Sequence, residues 1–341
     1  MTIAPRLVEL GFFREHQESL EALGDPRLEV ARVAEVHRKS CLAIGEQGEI
    51  SVVMSSRARH QSASALDLPA VGDWIAFETG GAGPRLAATL ARRSLLARKT
   101  ANAEPQALAA NVDLAFLVAA LNKELNVRRL ERYLALALDG GARPVVVLNK
   151  SDLVEEPSIL AERVRAELRE ALVITVSAKA RTGLVELTSL LAPGVTAVFL
   201  GSSGVGKSSL VNCILGTDAL PVREARPWDD RGRHTTSRRQ LIVSPRGLLV
   251  DTPGLREIEP WAADEGVAAT FPEIDALIGE CRFSDCGHMS EPGCALREAV
   301  TDGRVQVSRF ESWRKLTTQQ AVQGPWRAPK AGTRTPRMRK S

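Results

Sequence analysis

The chain has 341 residues, 44% of them hydrophobic and 25% charged, with a formal net charge of +4. That length exceeds one compact core and suits two or three domains, and the balance excludes a fibrous or wholly disordered chain. No run of 18 apolar residues occurs, and Met1 to Phe13 carries Glu9 within its apolar part, so neither a membrane span nor a signal peptide is expected and the setting is expected to be cytoplasmic.

In chain order, Leu28 to Val36, Cys41 to Ile44, Glu49 to Met54 and Asp73 to Phe77 are short apolar-rich runs, separated by Gly45, Gly48, Pro69 and Gly72. This predicts a small β-barrel. Arg57, Arg59 and His60 would line a nucleic-acid face or form a solvated loop. From Asn111 the pattern changes: Val112 to Ala119, Pro144 to Leu148, Leu172 to Val176 and Val195 to Leu200 read as buried strands. They alternate with helices over Arg128 to Asp139, Ser158 to Ala171 and Gly183 to Leu191, which predicts a parallel sheet covered on both faces. Gly216 to Arg239 reads as a mobile loop, and Gln240 to Ser244 with Gly247 to Val250 as a hairpin turning at Pro245-Arg246. Beyond Pro260 the chain reads as helical and irregular. Residues 321–341 hold Arg327, Lys330, Arg334, Arg337, Arg339 and Lys340 and no acid, a basic tail that attracts polyanions or is simply a solvated, disordered end.

Two groups of motifs carry chemistry. Gly201, Ser202, Ser203, Gly204, Val205, Gly206, Lys207 and Ser208, followed by Ser209, fit G-x-x-x-x-G-K-[ST] between a strand and a helix. Backbone N–H groups and the helix N-terminus would cradle phosphate, Lys207 would reach the β- and γ-phosphates, and Ser208 would ligate Mg²⁺. Asp251-Thr252-Pro253-Gly254 places Asp251 for Mg²⁺ and the Gly254 N–H for the γ-phosphate, while Thr235 or Thr236, within Gly232 to Thr236, would bind the metal and γ-phosphate. Asn149, Lys150, Ser151 and Asp152 form N-K-x-D: the Asp152 carboxylate would accept from guanine N1–H and the 2-amino group, and Asn149 would donate toward N7 and brace the loop. Ser177, Ala178 and Lys179 would present the Ala178 N–H to guanine O6.

These base motifs precede the phosphate loop, so the usual order is circularly permuted. A sheet tolerates this because each motif belongs to one strand end, and strands are held by hydrogen bonds and not by chain order. Many GTPases place a glutamine just after D-x-x-G, whereas Leu255 stands there, so something else must orient the attacking water: His234 is the candidate, and the competing reading makes it an exposed loop residue with rRNA or a phosphate-bound ion in that role. Cys281, Cys286, His288 and Cys294 form a Cys3His set within fourteen residues, which fits a closed structural zinc site. Cys41 and Cys213 read as core residues.

Together with Pro69 to Trp74 and Ala110 to Asp113, these motifs resemble the bacterial ribosome small subunit-dependent GTPase A family, from about Leu28 to Lys315. The resemblance implies an OB-fold, a circularly permuted P-loop GTPase domain and a zinc-binding domain, and the chain is expected to divide into an OB-like barrel with an N-terminal extension (1–100), the GTPase domain (101–258), a mainly helical zinc-binding domain (259–320) and the basic tail (321–341). It implies hydrolysis of GTP to GDP and phosphate stimulated by the small ribosomal subunit, a role in late maturation of that subunit, and rRNA contacts by the OB-fold and the zinc domain; a monomer carrying one zinc ion and using Mg²⁺ with GTP is expected. An RNA-binding regulatory GTPase with a non-ribosomal partner is the alternative. Residues before Leu28 and after Gly324 match nothing in that pattern.

Overall fold

Alternating residues in the first strands set the barrel. In β1 (Glu29–Val36) Ala31 and Val33 point inward, joined by Cys41 and Ala43 of β2 (Ser40–Gly45), Val52 of β3 (Gly48–Val53) and Ile75 and Phe77 of β4 (Trp74–Gly80). A fifth strand, β5 (Gly83–Thr89), not separated out in the sequence, completes a closed barrel of order β1-β2-β3-β5-β4, in which β3 and β5 pair parallel. That is the strand order of an OB-fold. The computed structural model describes residues 3–54, 64–80, 83–99, 105–122, 125–169, 171–216, 239–251, 264–283 and 285–323. Arg57, Arg59, His60 and the basic tail lie outside the described residues.

The segment before Leu28 forms two helices, α1 (Pro5–Glu9) and α2 (Arg14–Glu21), which join the barrel to the rest of the chain. Leu7, Leu10 and Phe12 belong to one apolar cluster with Trp74 of the barrel and Leu117 and Leu134 beyond it. Arg32, fully buried, donates to the carbonyls of Leu10, Gly72 (3.2 Å) and Asn111 (3.0 Å). Trp74 Nε1 donates to Gly11 O at 3.2 Å, and buried Asp73 is held by Arg92 at 2.6 Å, so the Pro69 to Trp74 signature is a packing junction.

His16 sits in this junction with no exposed surface. Its Nδ1 accepts the Phe13 N–H at 3.0 Å and its Nε2 faces Asn111 Oδ1 at 3.3 Å, an arrangement of the neutral ring. Burial, with Arg32 and Arg93 nearby, lowers its pKa to about 4. The unfolded chain therefore binds a proton that the folded chain refuses between pH 6.5 and 4. Stability from this site is complete above pH 6.5 and falls by about 3 kcal/mol as the pH drops through that window. Denaturant midpoints measured across it should slope less in His16→Gln than in the parent chain; parallel slopes would exclude His16 as the acid-labile group.

After the barrel, β6 (Leu95–Lys99) and β7 (Pro105–Ala110) form a two-stranded antiparallel ribbon. A six-stranded sheet comes next, in the order β10 (Leu172–Thr175), β9 (Arg143–Asn149), β8 (Leu114–Ala120), β11 (Thr196–Leu200), β13 (Gly247–Asp251) and β12 (Gln240–Ser244). Only the β12–β13 hairpin pairs antiparallel. The central strands β8 and β11 are almost wholly apolar because both faces are covered. Ala115, Leu117, Val146 and Leu148 pack on one side with Leu130, Tyr133 and Leu134 of α3 (Val127–Asp139), while Phe116, Val118, Val145, Val147 and Phe199 pack on the other. Helix α4 (Pro157–Glu167) lies along β10, and α5 (Leu184–Ser189) and α6 (Lys207–Leu215) supply Leu187 and Leu210 to the second face. Asp113 clamps the central strands: its Oδ2 accepts the Thr196 N–H at 2.8 Å and its Oδ1 an Arg93 N–H at 3.0 Å.

The C-terminal module comprises α7 (Asp264–Thr270), α8 (Pro272–Ile278), α9 (Ala295–Thr301) and α10 (Val307–Gln323) around Val267, Phe271, Ile274, Leu296 and Trp313. It docks on α3. A Cβ at Gly266 would stand 2.5 Å from Ala135 O, so the two helices meet backbone to backbone. Glu131, with no exposed surface, accepts from Arg128 on its own helix, from Arg309 at 2.9 Å and from Ser312. Among the described residues no helix is long and apolar enough to cross a membrane.

Candidate nucleotide site and metal centre

The parallel register brings three motifs to one edge of the sheet. β11 ends at Leu200 and the loop Gly201 to Gly206 leads into α6; β9 next but one ends at Asn149, and β10 beyond it is followed by Ser177 to Lys179. Asn149 joins all three. Its Nδ2 donates to Val205 O at 2.8 Å, and its Oδ1 accepts the Ala178 N–H at 3.1 Å. The Ala178 N–H, expected to face guanine O6, is thus given to Asn149, which braces the loops as expected. Gly206 permits this approach: at φ +96° a Cβ there would lie 2.2 Å from Asn149 Nδ2.

Lys150 adopts φ +64°, which turns the chain so that Asp152 lies exposed at the mouth of the site. Ser177 Oγ donates to Asp152 Oδ1 at 2.5 Å and accepts the Ala180 N–H at 2.9 Å. One carboxylate oxygen is therefore fixed before any base arrives. At the phosphate end, Lys207 Nζ donates to the carbonyls of Gly201 and Ser202, both at 2.8 Å, so its ammonium is folded along the loop. Ser208 and Ser209 lie in the first turn of α6. Asp251 ends β13, the strand beside β11. His234, Thr235, Thr236, Gly254 and Leu255 lie outside the described residues.

Cys41 is buried as expected, but Cys213 is only half-buried: its Sγ approaches Ala178 O at 3.4 Å, because the face of α6 that carries it looks to the base loop and not into the sheet.

The cysteine cluster assembles in the C-terminal module. The ligand atoms of Cys281, Cys286, His288 and Cys294 all lie within 4.8 Å of one another. Cys281 Sγ stands 4.0 Å from Cys294 Sγ and 3.6 Å from His288 Nδ1, and Cys294 Sγ is 3.5 Å from the same nitrogen. A tetrahedral zinc ion with ordinary bond lengths has edges of about 3.8 Å between sulfurs and about 3.5 Å from sulfur to nitrogen, so the set fits. His288 reaches in at φ +57°, and its ring meets Trp313 edge-on at 5.5 Å. Glu291 steadies that turn. Its carboxylate accepts N–H groups of Gly287, Met289 and Ser290, and such bonds, its own N–H foremost, hold its pKa down at about 2.

A family model described as RsgA GTPase matches residues 89–261. The chain belongs to the RsgA GTPase family. The matched segment holds the permuted sheet and every nucleotide motif, and a chain of this family is a GTPase. Relatives extend the likeness beyond it. The small ribosomal subunit biogenesis GTPase RsgA of Opitutus terrae is 46% identical over 85% of this chain and 83% of its own. The small ribosomal subunit biogenesis GTPase RsgA 2 of Lactiplantibacillus plantarum is 42% identical over 86% of this chain and 84% of its own. Among solved structures, YjeQ from Thermotoga maritima superposes with TM-score 0.63 at 28% identity, covering 86% of this chain and 98% of that one. YloQ, titled a circularly permuted GTPase, gives TM-score 0.61 at 22% identity over 92% of this chain and 99% of its own, a likeness of fold.

Two features of this RsgA GTPase carry no sequence signal. The Glu291 cap has no motif, since an acid in a polar turn is common. Arg129, whose Nη1 donates to Ser202 Oγ at 2.7 Å, comes from a helix with no nucleotide motif at all.

Proposed function

We propose that this chain is a nucleotide-gated assembly factor that acts on the small ribosomal subunit late in its maturation, hydrolysing GTP as it does so. The observation that carries the reading is the Asn149 brace, which ties base loop, phosphate loop and Ala178 into one preformed site. The subunit comes from what the relatives are named for. In this site Asp152 selects guanine with Asn149, Lys150 and Ser151, Ser177 to Lys179 close the base loop, and Gly201 to Ser209 with Lys207 hold the phosphates. Ser208 and Asp251 offer a hydroxyl and a carboxylate to Mg²⁺, which would supply neutralising charge. Thr235 or Thr236 and Gly254 would sense the γ-phosphate, and His234 would align the attacking water in place of the glutamine that Leu255 replaces. Cys281, Cys286, His288 and Cys294 hold one structural zinc ion, with no position open for water. The barrel and the C-terminal module contact rRNA, the basic tail adds positive charge to that contact, and the chain acts as a monomer in the cytoplasm.

Turnover should be slow for the chain alone and rise with small subunits by up to about 10³-fold, the low end of what a partner that completes a GTPase site supplies. Large subunits should leave it unchanged. Equal stimulation by both, or by neither, would overturn the partner while leaving the GTPase in place.

A further inference from the structure

Helix α3 touches both the phosphate loop and the C-terminal module. Its first turn is fixed by Asn126, whose Oδ1 accepts the Arg129 N–H at 3.1 Å. From that turn Arg129 Nη1 reaches Ser202 Oγ at 2.7 Å, beside a cavity of about 30 Å³ that Asn122, Leu130, Ser203 and Val205 also line. Ser202 is held twice, since its carbonyl accepts from Lys207 Nζ at 2.8 Å. Among the described residues Arg129 pairs with no carboxylate, whereas adjacent Arg128 is held by Glu131 and, at 2.8 Å, by Glu167. Two residues on from Arg129 stands Glu131, the buried acid that Arg309 and Ser312 of the module grip.

We propose that Arg129 is a positioning residue for GTP hydrolysis: through the Ser202 hydroxyl it sets the crest of the phosphate loop and with it the Lys207 ammonium, and the C-terminal module sets Arg129 by gripping Glu131. The chemistry is simple. Lys207 must meet negative charge as it grows on the phosphates, and an error of about 1 Å in such a group costs roughly 10²-fold in rate. Ser202 joins the two cations, one on its hydroxyl and one on its carbonyl, so a slack Arg129 becomes a displaced Lys207. The module, reached directly by the chain after Asp251, thereby has a second route back to the nucleotide, through α3.

The proposal rests on the reading of Gly201 to Ser209 as the phosphate loop, and the test keeps the two apart. Full-length parent, Arg129→Ala, Ser202→Ala and the double variant are assayed for GTP turnover and for GDP affinity by fluorescent-nucleotide titration, with thermal melts to confirm folding. Arg129→Ala should lower kcat by roughly 10- to 100-fold and change GDP affinity by less than about threefold. Ser202→Ala should lose kcat likewise, and the double variant should be no worse than either single one, because both break one linkage. Arg129→Lys, which keeps stem and charge, should recover part of the loss and serves if the alanine variant melts early. Ser312→Ala, on the module side, should slow the parent and have no further effect in the Arg129→Ala chain. Parent turnover in Arg129→Ala, or losses that multiply in the double variant, would overturn the role of Arg129; a Ser312→Ala loss that persists in the Arg129→Ala chain would overturn the link to the module. A parent chain that binds no GDP would instead refute the phosphate-loop reading.

Discussion

Cys286→Ala is expected to unfold the C-terminal module and leave GTP binding largely intact. The module's own core is small, built on Val267, Phe271, Ile274, Leu296 and Trp313, and its connecting loop carries the whole Cys3His set. A structural zinc ion contributes on the order of 10 kcal/mol in modules of this size, more than such a core supplies alone. Losing the ion should release α9 and α10 and take Arg309 and Ser312 from buried Glu131, so the sheet should also melt earlier. The nucleotide motifs stand on strands packed by separate clusters, so affinity for GDP should hold. Metal analysis should find one zinc per parent chain, and hydrogen exchange over 264–318 should rise in the variant with β8, β9 and β11 still protected. Parent protein purified without chelator and free of zinc would refute the assignment outright.

Asp152→Asn is expected to move preference from guanine to xanthine nucleotides. The parent carboxylate can accept two N–H groups of guanine, and Ser177 already fixes one of its oxygens at 2.5 Å. An asparagine keeps that Ser177 bond through its Oδ1 but presents an N–H₂ where an acceptor is needed. It opposes the donors of guanine and complements the carbonyl of xanthine. Sites built to hydrogen-bond a substrate group reject mismatches by about 10⁴- to 10⁵-fold at best, and an exposed carboxylate such as this one should give roughly 10²- to 10³-fold. Competition titrations with GTP and XTP read this directly. If the variant still prefers GTP, or if the parent binds ATP as tightly, Asp152 does not select the base.

Much of this architecture is legible in the sequence alone. The nucleotide motifs announce themselves because phosphate and guanine each demand particular atoms at a strand end, and the Cys/His spacing because one ion demands four ligands. The strands of the sheet are legible almost to their ends, since two covered faces leave continuous apolar runs such as Leu114–Ala120. The fifth barrel strand is not, because Gly83–Thr89 is half-buried along most of its length and shows no alternation. Nor are the N-terminal helices, whose burial comes from tertiary partners: Phe12 and His16 pack only once Trp74 and Asn111 have arrived. Arg129 and Glu131 look in sequence like the polar face of an amphipathic helix. Nothing local distinguishes a solvated arginine from one that ends on a phosphate loop 73 residues away.

The strand order also bears on synthesis. β8, β9 and β10 leave the exit tunnel as a finished parallel trio, but the neighbour of β8 on its other side is β11, made last among these strands. Until Thr196 to Leu200 emerges, one edge of β8, the sequence LAFLVAA with almost every side chain destined for burial, has unpaired backbone groups and no cover. An unpermuted GTPase order would make the phosphate-loop strand first, ready to receive its neighbours. Here the nascent half-sheet carries the hazard of an apolar open edge for the whole time that α4, β10 and α5 are being made. Slowing translation between Ala120 and Thr196 should therefore raise the share of chains that aggregate, whereas slowing it after Leu200 should not.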